Sequence, residues 1–528
     1  MKNSTKGALI VTGMALVMTV SLVGGYKFIT HVSPKVKTEF DNYTNPITQQ
    51  LIKDFEIPEK EKEEPKEEPS EFTYTGTEKR AYDGPVIYQN DGYIFNSDGK
   101  MLTDYRGDKG YDVRLTKSID GSRAVLVIDD KCLYIDADLN VTEISDGCRL
   151  AGMSFEGKYF FHLDEKDREQ AVYIRDIESG DDYLIAKSSS TFRSVCISPD
   201  GRTLVYSLYS DKTTIHVCGI DIPETEYETD DCDSIITVSN DGETIFYSSY
   251  DKNTEYHCIN KGKTTNLGTK NYHHDYLDRE CKQILYQDRK GAIKYYRAGD
   301  KKPITLLKEE NARIRLGSVA AQQQDIYMED YVLDTDSFAD AVMIEADYKC
   351  YALSGNTPEV VEMSKDLDKI YSYETCVTPE GPACVCKIGG EYVKLIYDGK
   401  NINRTLVYDC EKTMTDIVCS DDLTQAWVRD RDNIYYIAEG KEPVLVFEPD
   451  AASSYTTYDL EWDPATGRCH FVLDSTLYSV GTTADSKVEM RNCKFFSSYS
   501  TNECKVLTVY GTDGNTYIVV GGQPYRLH

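Results

Sequence analysis

Side chains suited to binding chemistry recur in this 528-residue chain at one fixed distance from a repeated turn. Five positions before successive copies stand Arg149, Arg193, Ser234, His273, Arg315, Tyr373, Thr415, Tyr458 and Phe495, a basic, polar and aromatic column. One position before them stand Met153, Ile197, Val238, Leu277, Val319, Val377, Cys419, Trp462 and Tyr499, mostly apolar. Positions four apart on a strand share a face. The apolar column is therefore expected to pack between sheets, and Arg149, Arg193, His273, Arg315, Tyr373 and Tyr458 to ring a channel mouth where a ligand binds. The competing expectation is that the arginines simply pair with acidic residues on adjacent loops.

Catalytic groupings are sparse. Asp416, Asp459 and Glu461 are the carboxylates that could serve as an acid and base pair in glycan processing, but acidic residues are so abundant that chance supplies such a group. No Gly-x-Ser-x-Gly elbow, nucleotide loop or cofactor fingerprint occurs, so no catalytic residue and no cofactor is assigned. Asp334-Thr335-Asp336 lacks the glycine and distal glutamate of a calcium loop. His273 and His274 would point opposite ways on a strand, and Cys384 and Cys386 share a face with no second ligand pair at metal spacing. No metal is expected.

The chain's sixteen cysteines sort by the same ruler. Cys196, Cys376 and Cys419 precede the turn, where a small buried residue suits an inner strand. Cys132 and Cys148 repeat, at a similar separation, as Cys218 and Cys232. In an oxidising compartment each pair is a candidate disulfide tying one sheet to the next inner strand.

The elements that must position these residues follow from the turn itself. Ser198-Pro199-Asp200-Gly201 and Ser239-Asn240-Asp241-Gly242 lead into matching stretches of about twenty residues, with looser copies at Ser118, Ser154, Asp278, Ala320, Thr378, Ser420, Asp463 and Ser500. Successive copies lie 36, 44, 41, 39, 42, 58, 42, 43 and 37 residues apart. A period near forty with short β-rich runs predicts an all-β chain of four-stranded propeller blades, about seven to ten of them. A single large ring with insertions is preferred to two rings in tandem, and residues 73–105 are expected to complete the last blade. Tyrosine is abundant (41, against 15 Phe and 2 Trp), as suits half-wetted pleated surfaces.

On these residues the chain resembles the TolB-type, WD-repeat-like β-propellers, whose repeats carry a Ser-Pro-Asp-Gly turn followed by an apolar strand. Ser198 to Tyr209 matches best, then Ser239 to Tyr250, then Trp462-Asp463-Pro464. The resemblance implies fold only, since similar propellers serve as periplasmic binding scaffolds or as gating domains of serine peptidases.

The N-terminal part predicts location. Residues 1–6 form a short cytoplasmic end, and the uncharged run 7–25 is long enough to cross a bilayer as one helix. Cleavage as a signal peptide, giving a secreted protein, is the alternative. Residues 26–72 form a stalk whose tract 58–71, rich in Glu, Lys and Pro, is expected to be extended and disordered, and 73–528 form the propeller. A net charge of −30 excludes a nucleic-acid partner. The expected protein is a single-pass, membrane-tethered, extracytoplasmic propeller binding a protein, peptide or glycan without catalysis. The alternative is a cell-surface enzyme of glycan-processing type.

Overall fold

The repeated turn owes its shape to bonds that close within five residues. In the copies at Ser118, Ser154, Ser198, Ser239 and Ser420, the first amide donates to the carbonyl five positions on, and the first carbonyl accepts from the amide three positions on. The serine hydroxyl accepts the fifth residue's amide, at 3.0 Å for Thr203 to Ser198 and 3.0 Å for Gln425 to Ser420. It donates to the aspartate two places on, at 2.6 Å for Ser198 to Asp200 and 2.6 Å for Ser420 to Asp422. In the fifth copy Asp278 takes the place of serine, and its Oδ1 accepts both Lys282 and Gln283 amides at 2.7 Å. Burial pushes the Asp278 carboxyl up to about 6, against the lowering effect of those amides.

The computed structural model describes residues 87–527 apart from 91–92, 97–100, 104–113, 251–253, 270–274, 310, 317–320, 324–329, 366, 368–369, 411–414, 450–459, 464–465, 502–503 and 521–522. The expected membrane span 7–25 and stalk 26–72 lie outside the described residues. Among the described residues the strands form nine four-stranded antiparallel sheets, one six-stranded sheet and one three-stranded sheet. In chain order the blades span 114–146, 148–188, 192–228, 234–269, 275–307, 313–362, 371–409, 415–447, 461–491 and 493–527. Repeated four-stranded sheets with buried inner strands on this scale are propeller repeats, and the described residues are all-β as expected.

Strand alternation explains why blades stack. In the third blade Leu204, Tyr206 and Cys218 pack with Phe161, Leu163, Val172 and Ile174 of the second. Their neighbours Val205, Ile215 and Val217 face the other way, against Ile235, Ile245, Tyr247 and Ile259 of the fourth. One sheet thus buries both faces, which it could not do alone. The turns interlock as well: Ile119 donates to Phe155 at 2.8 Å and Phe155 to Pro199 at 2.9 Å. Asp200 N donates to Asn240 Oδ1 at 2.9 Å.

Two features depart from the plain four-stranded repeat. The 58-residue interval is an insertion in the sixth blade: after strand Arg313–Leu316 the chain leaves, forms strands Ala321–Gln323 and Asp330–Leu333, and returns at Val342–Ala346. Strand Asp330–Leu333 joins the fifth blade parallel to Asp275–Leu277, making the six-stranded sheet. Gln322 then donates to Lys117 O at 2.6 Å and Met153 O at 3.1 Å, so the insertion bonds the fifth sheet to the first two blades. Arg279 of the fifth blade also meets Glu156 of the second at 3.2 Å.

The second difference concerns the chain before the first blade. Strands Ile87–Asn90, Tyr93–Asn96 and Met101–Thr103 form their own sheet, whereas the last blade already has four strands of its own. Ile87 and Ile94 pack on Ala124, Leu126 and Ile128 of the first blade, so this segment is an extra partial sheet before it.

Candidate functional site

The predicted column places its arginines in ion pairs. Arg149 Nη1 lies 2.8 Å from Asp130 of the first blade, and its Nε lies 3.2 Å from Glu165. Arg193, nearly buried, bonds the carbonyl of Asp233 at 2.9 Å and also its carboxylate, and it lies over the Tyr209 ring at 5.5 Å. Arg315 meets Glu345 on the adjacent strand at 2.7 Å. His273 and Tyr458 lie outside the described residues, and Tyr373 is described only as part of strand Tyr371–Thr378. The three arginines do not meet one another; each serves a joint between neighbouring strands or blades.

The other sequence candidates are also placed. Asp416 Oδ2 accepts the Leu460 amide at 3.4 Å, linking the eighth and ninth blades, and Asp459 lies outside the described residues. Asp334 pairs with Arg279 at 3.5 Å. Cys132 and Cys148 lie in one packing layer between the first two blades, and the Cys148 thiol donates to Leu150 O at 3.3 Å. The neighbouring Cys148 thiol, then burial, raises Cys132 and leaves Cys148 the lower of the two. Cys218 and Cys232 are not brought together. They lie on opposite faces of the third blade, in separate packing layers.

A groove unforeseen in the sequence opens at the joint of the seventh and eighth blades. Leu406, Val407, Tyr408 and Asp409 supply one wall, from the outermost strand Ile402–Asp409 of the seventh blade. Asp430, Arg431, Asn433 and Tyr435 supply the other, from a hairpin of the eighth, with Lys441 and Pro443 at the rim. The groove, open to solvent, has a volume of about 630 Å³, within the range of small-ligand sites. Asp430 pairs with Asn433 across a two-residue turn in which Arg431 takes φ +59°, the left-handed geometry such hairpins favour.

Its polar groups are unevenly satisfied. The Tyr408 hydroxyl donates to Asp430 Oδ2 at 3.3 Å, and the Tyr408 and Tyr435 rings lie 5.7 Å apart with an interplanar angle of 34°. Burial, then the Asp430 charge, pushes the Tyr408 phenol up, so it remains a donor. Asp430 Oδ1 is shielded from solvent and accepts no hydrogen bond from the protein. The site thus combines two aromatic rings, the Asp430 carboxylate, and the exposed cations Arg431 and Lys441.

No turn spacing marks this site, because its walls come from two blades and meet only on stacking. The available signal was Tyr408-Asp409 closing one strand and Asp430-Arg431-Asp432-Asn433 turning the next hairpin.

No protein-family model and no curated protein matches the chain. Among solved structures, a putative TolB from Agrobacterium tumefaciens is similar at 16% identity and TM-score 0.30, over 45% of this chain and 91% of that one. The β-propeller domain of the Trilobed protease from Pyrococcus furiosus is similar at 13% identity and TM-score 0.30, over 57% and 100%. Oligogalacturonate lyase from Vibrio parahaemolyticus is similar at 11% identity and TM-score 0.32, over 45% and 78%. The architecture rests on this chain's own sheets, and in fold its repeats resemble those of the TolB-type propellers.

Proposed function

We propose that the protein is a non-catalytic binding module whose groove between the seventh and eighth blades takes a hydroxyl-rich ligand of glycan type. The observation that carries this reading is a groove walled by the Tyr408 and Tyr435 rings, 5.7 Å apart, with the Asp430 carboxylate beside them. A sugar supplies both complements: hydroxyls that donate to a carboxylate, and C–H faces that lie on aromatic rings. Arg431 and Lys441 would favour a ligand that also carries negative charge. The uncharged run 7–25 and the tract 58–71 support a membrane-tethered, extracytoplasmic setting, with the stalk giving reach toward a surface ligand.

The test is a glycan array probed with the full-length protein in detergent and with its Tyr435→Ala variant. The reading expects a small set of oligosaccharides bound by the wild type and lost by the variant. An array on which the two proteins give the same pattern, or on which nothing binds, contradicts it.

A further inference from the structure

A second cluster lies away from the groove, on the outer half of the third blade. His216 is on strand Asp211–Gly219, and Glu224 and Glu226 are on the neighbouring strand Ile222–Glu228. Register pairs His216 with Glu226, so Glu224, two residues away, shares that face. Both carboxylates converge on a single ring nitrogen: Nδ1 lies 3.0 Å from Glu224 Oε1 and 3.7 Å from Glu226 Oε1. The three ligand atoms all lie within 4.8 Å of one another.

The imidazole is held in place for this role. It stacks on Tyr206 with centroids 4.6 Å apart and planes 6° from parallel, and only 13% of its side chain is exposed. The Tyr206 hydroxyl donates at 2.6 Å to Glu224 Oε1, the same oxygen that faces His216, and so fixes its position. Burial, then Glu224, pushes the Tyr206 phenol up and keeps it a donor.

Other blades provide internal comparisons. The fourth blade repeats the stack as Tyr247 on His257, at 4.9 Å and 17°. There Asn266 pairs with the histidine and Thr264 lies two residues before it, with Ser249 bonding Nε2 at 2.8 Å. The second blade stacks His162 on Tyr173 at 5.1 Å, but its carboxylates sit on different nitrogens, Asp164 on Nδ1 and Asp182 on Nε2. Of these three stacks, that of the third blade alone aims two carboxylates at one nitrogen.

We infer that His216, Glu224 and Glu226 form a binding site for one divalent transition metal ion, zinc being the best fit. In a tetrahedral zinc site with ligand bonds of about 2.0–2.1 Å, neighbouring ligand atoms lie about 3.3 Å apart. The 3.0 and 3.7 Å separations bracket that value. One imidazole and two carboxylates suit zinc, whereas calcium requires about six to eight oxygens and magnesium a near-octahedral shell. A neutral histidine with two glutamates balances the ion's charge, and a chain of net charge −30 draws cations toward it. The fourth position is left to water. The ion would tie the exposed outer strand of the blade to the strand inside it.

Calorimetry with zinc chloride at neutral pH, on the full chain and on the Glu224→Gln plus Glu226→Gln variant, tests the assignment. The expected result is one zinc per chain, binding weakened on the order of a hundredfold in the double variant and about tenfold in Tyr206→Phe, which removes only the supporting bond. Cobalt substituted for zinc should give tetrahedral d–d bands without thiolate charge transfer. Both glutamates are at least half exposed, and circular dichroism checks that the variant is folded. No binding up to millimolar zinc, equal binding by the double variant, or a thiolate charge-transfer band would overturn the inference.

Discussion

Gly201 in the turn of the third blade lies directly against Ser154 in the turn of the second: a Cβ added at Gly201 would stand 2.8 Å from the Ser154 Cβ and 2.5 Å from that of Tyr159. Gly201 also holds φ +80°, so two independent constraints require glycine there. The same nesting recurs one blade earlier, where a Cβ on Gly157 would stand 2.7 Å from the Ser118 Cβ. Successive turns are thus packed surfaces between blades as well as chain reversals.

Gly201→Ala should therefore destabilise by about 2–4 kcal/mol, combining left-handed strain with overpacking. Gly440→Ala is the control, since Gly440 has φ +70° but nothing within 4 Å of a new Cβ. It should cost only about 1–2 kcal/mol. Thermal unfolding midpoints of the two variants measure the difference. Equal losses would mean that the turns do not bear on each other.

His470 in the ninth blade is fully buried, and neither ring nitrogen has a hydrogen-bond partner. Burial, against the attraction of Glu489 and aided by Arg468, lowers it to about 4. A folded-state value below the ordinary 6.5 means that the unfolded chain takes up the proton first. This stabilisation is complete above about pH 6.5 and is lost as pH falls toward 4, on the order of 3 kcal/mol in all. Asp278 works in the opposite sense over an overlapping range, because a carboxyl raised to about 6 weakens the fold as pH rises from 3.8 to 6. The comparison must therefore be with His470→Leu, whose midpoint should fall less between pH 7 and pH 4.5 than that of the wild type. Parallel pH profiles would refute this assignment.

The cysteine pairs separate into one that can close and one that cannot. Cys132 and Cys148 share one packing layer, whereas the third blade's sheet stands between Cys218 and Cys232. Exposure to a disulfide such as oxidised glutathione should link Cys132 to Cys148 by exchange, with release of two reduced glutathiones. Peptide mapping without reduction should find that bridge and no Cys218 to Cys232 bridge. Recovery of the second bridge without the first would contradict the packing described.

What was legible in the sequence was what closes over a few residues. The Ser, Asp and Gly of each turn bond within one five-residue span, so the turn survives in the sequence and gives both the four-stranded repeat and its period. The apolar column measured from it was legible, since Ile197, Val238 and Leu277 are all buried, but register shifts at Arg149, Arg193 and Tyr373 break the alternation that related the other column to it. The partners of Arg149, Arg193 and Arg315 were not legible in the same way, since Asp130, Asp233 and Glu345 reach them from other strands. The groove was hidden for the same reason, as Tyr408 and Asp430 meet only when two blades stack. The stack of Tyr206 on His216 was available in principle, because Tyr247 and His257 repeat its ten-residue spacing in the next blade.

The central claim, that the groove walled by Tyr408, Asp430 and Tyr435 receives a ligand, is tested most directly by titration calorimetry. An oligosaccharide selected on the array would be titrated into the wild type, Asp430→Ala and Tyr435→Ala, with unfolding midpoints recorded in parallel. The account predicts that each substitution weakens binding about tenfold or more, as loss of a central contact does, while the midpoints stay near that of the wild type. Full-strength binding by both variants would contradict it.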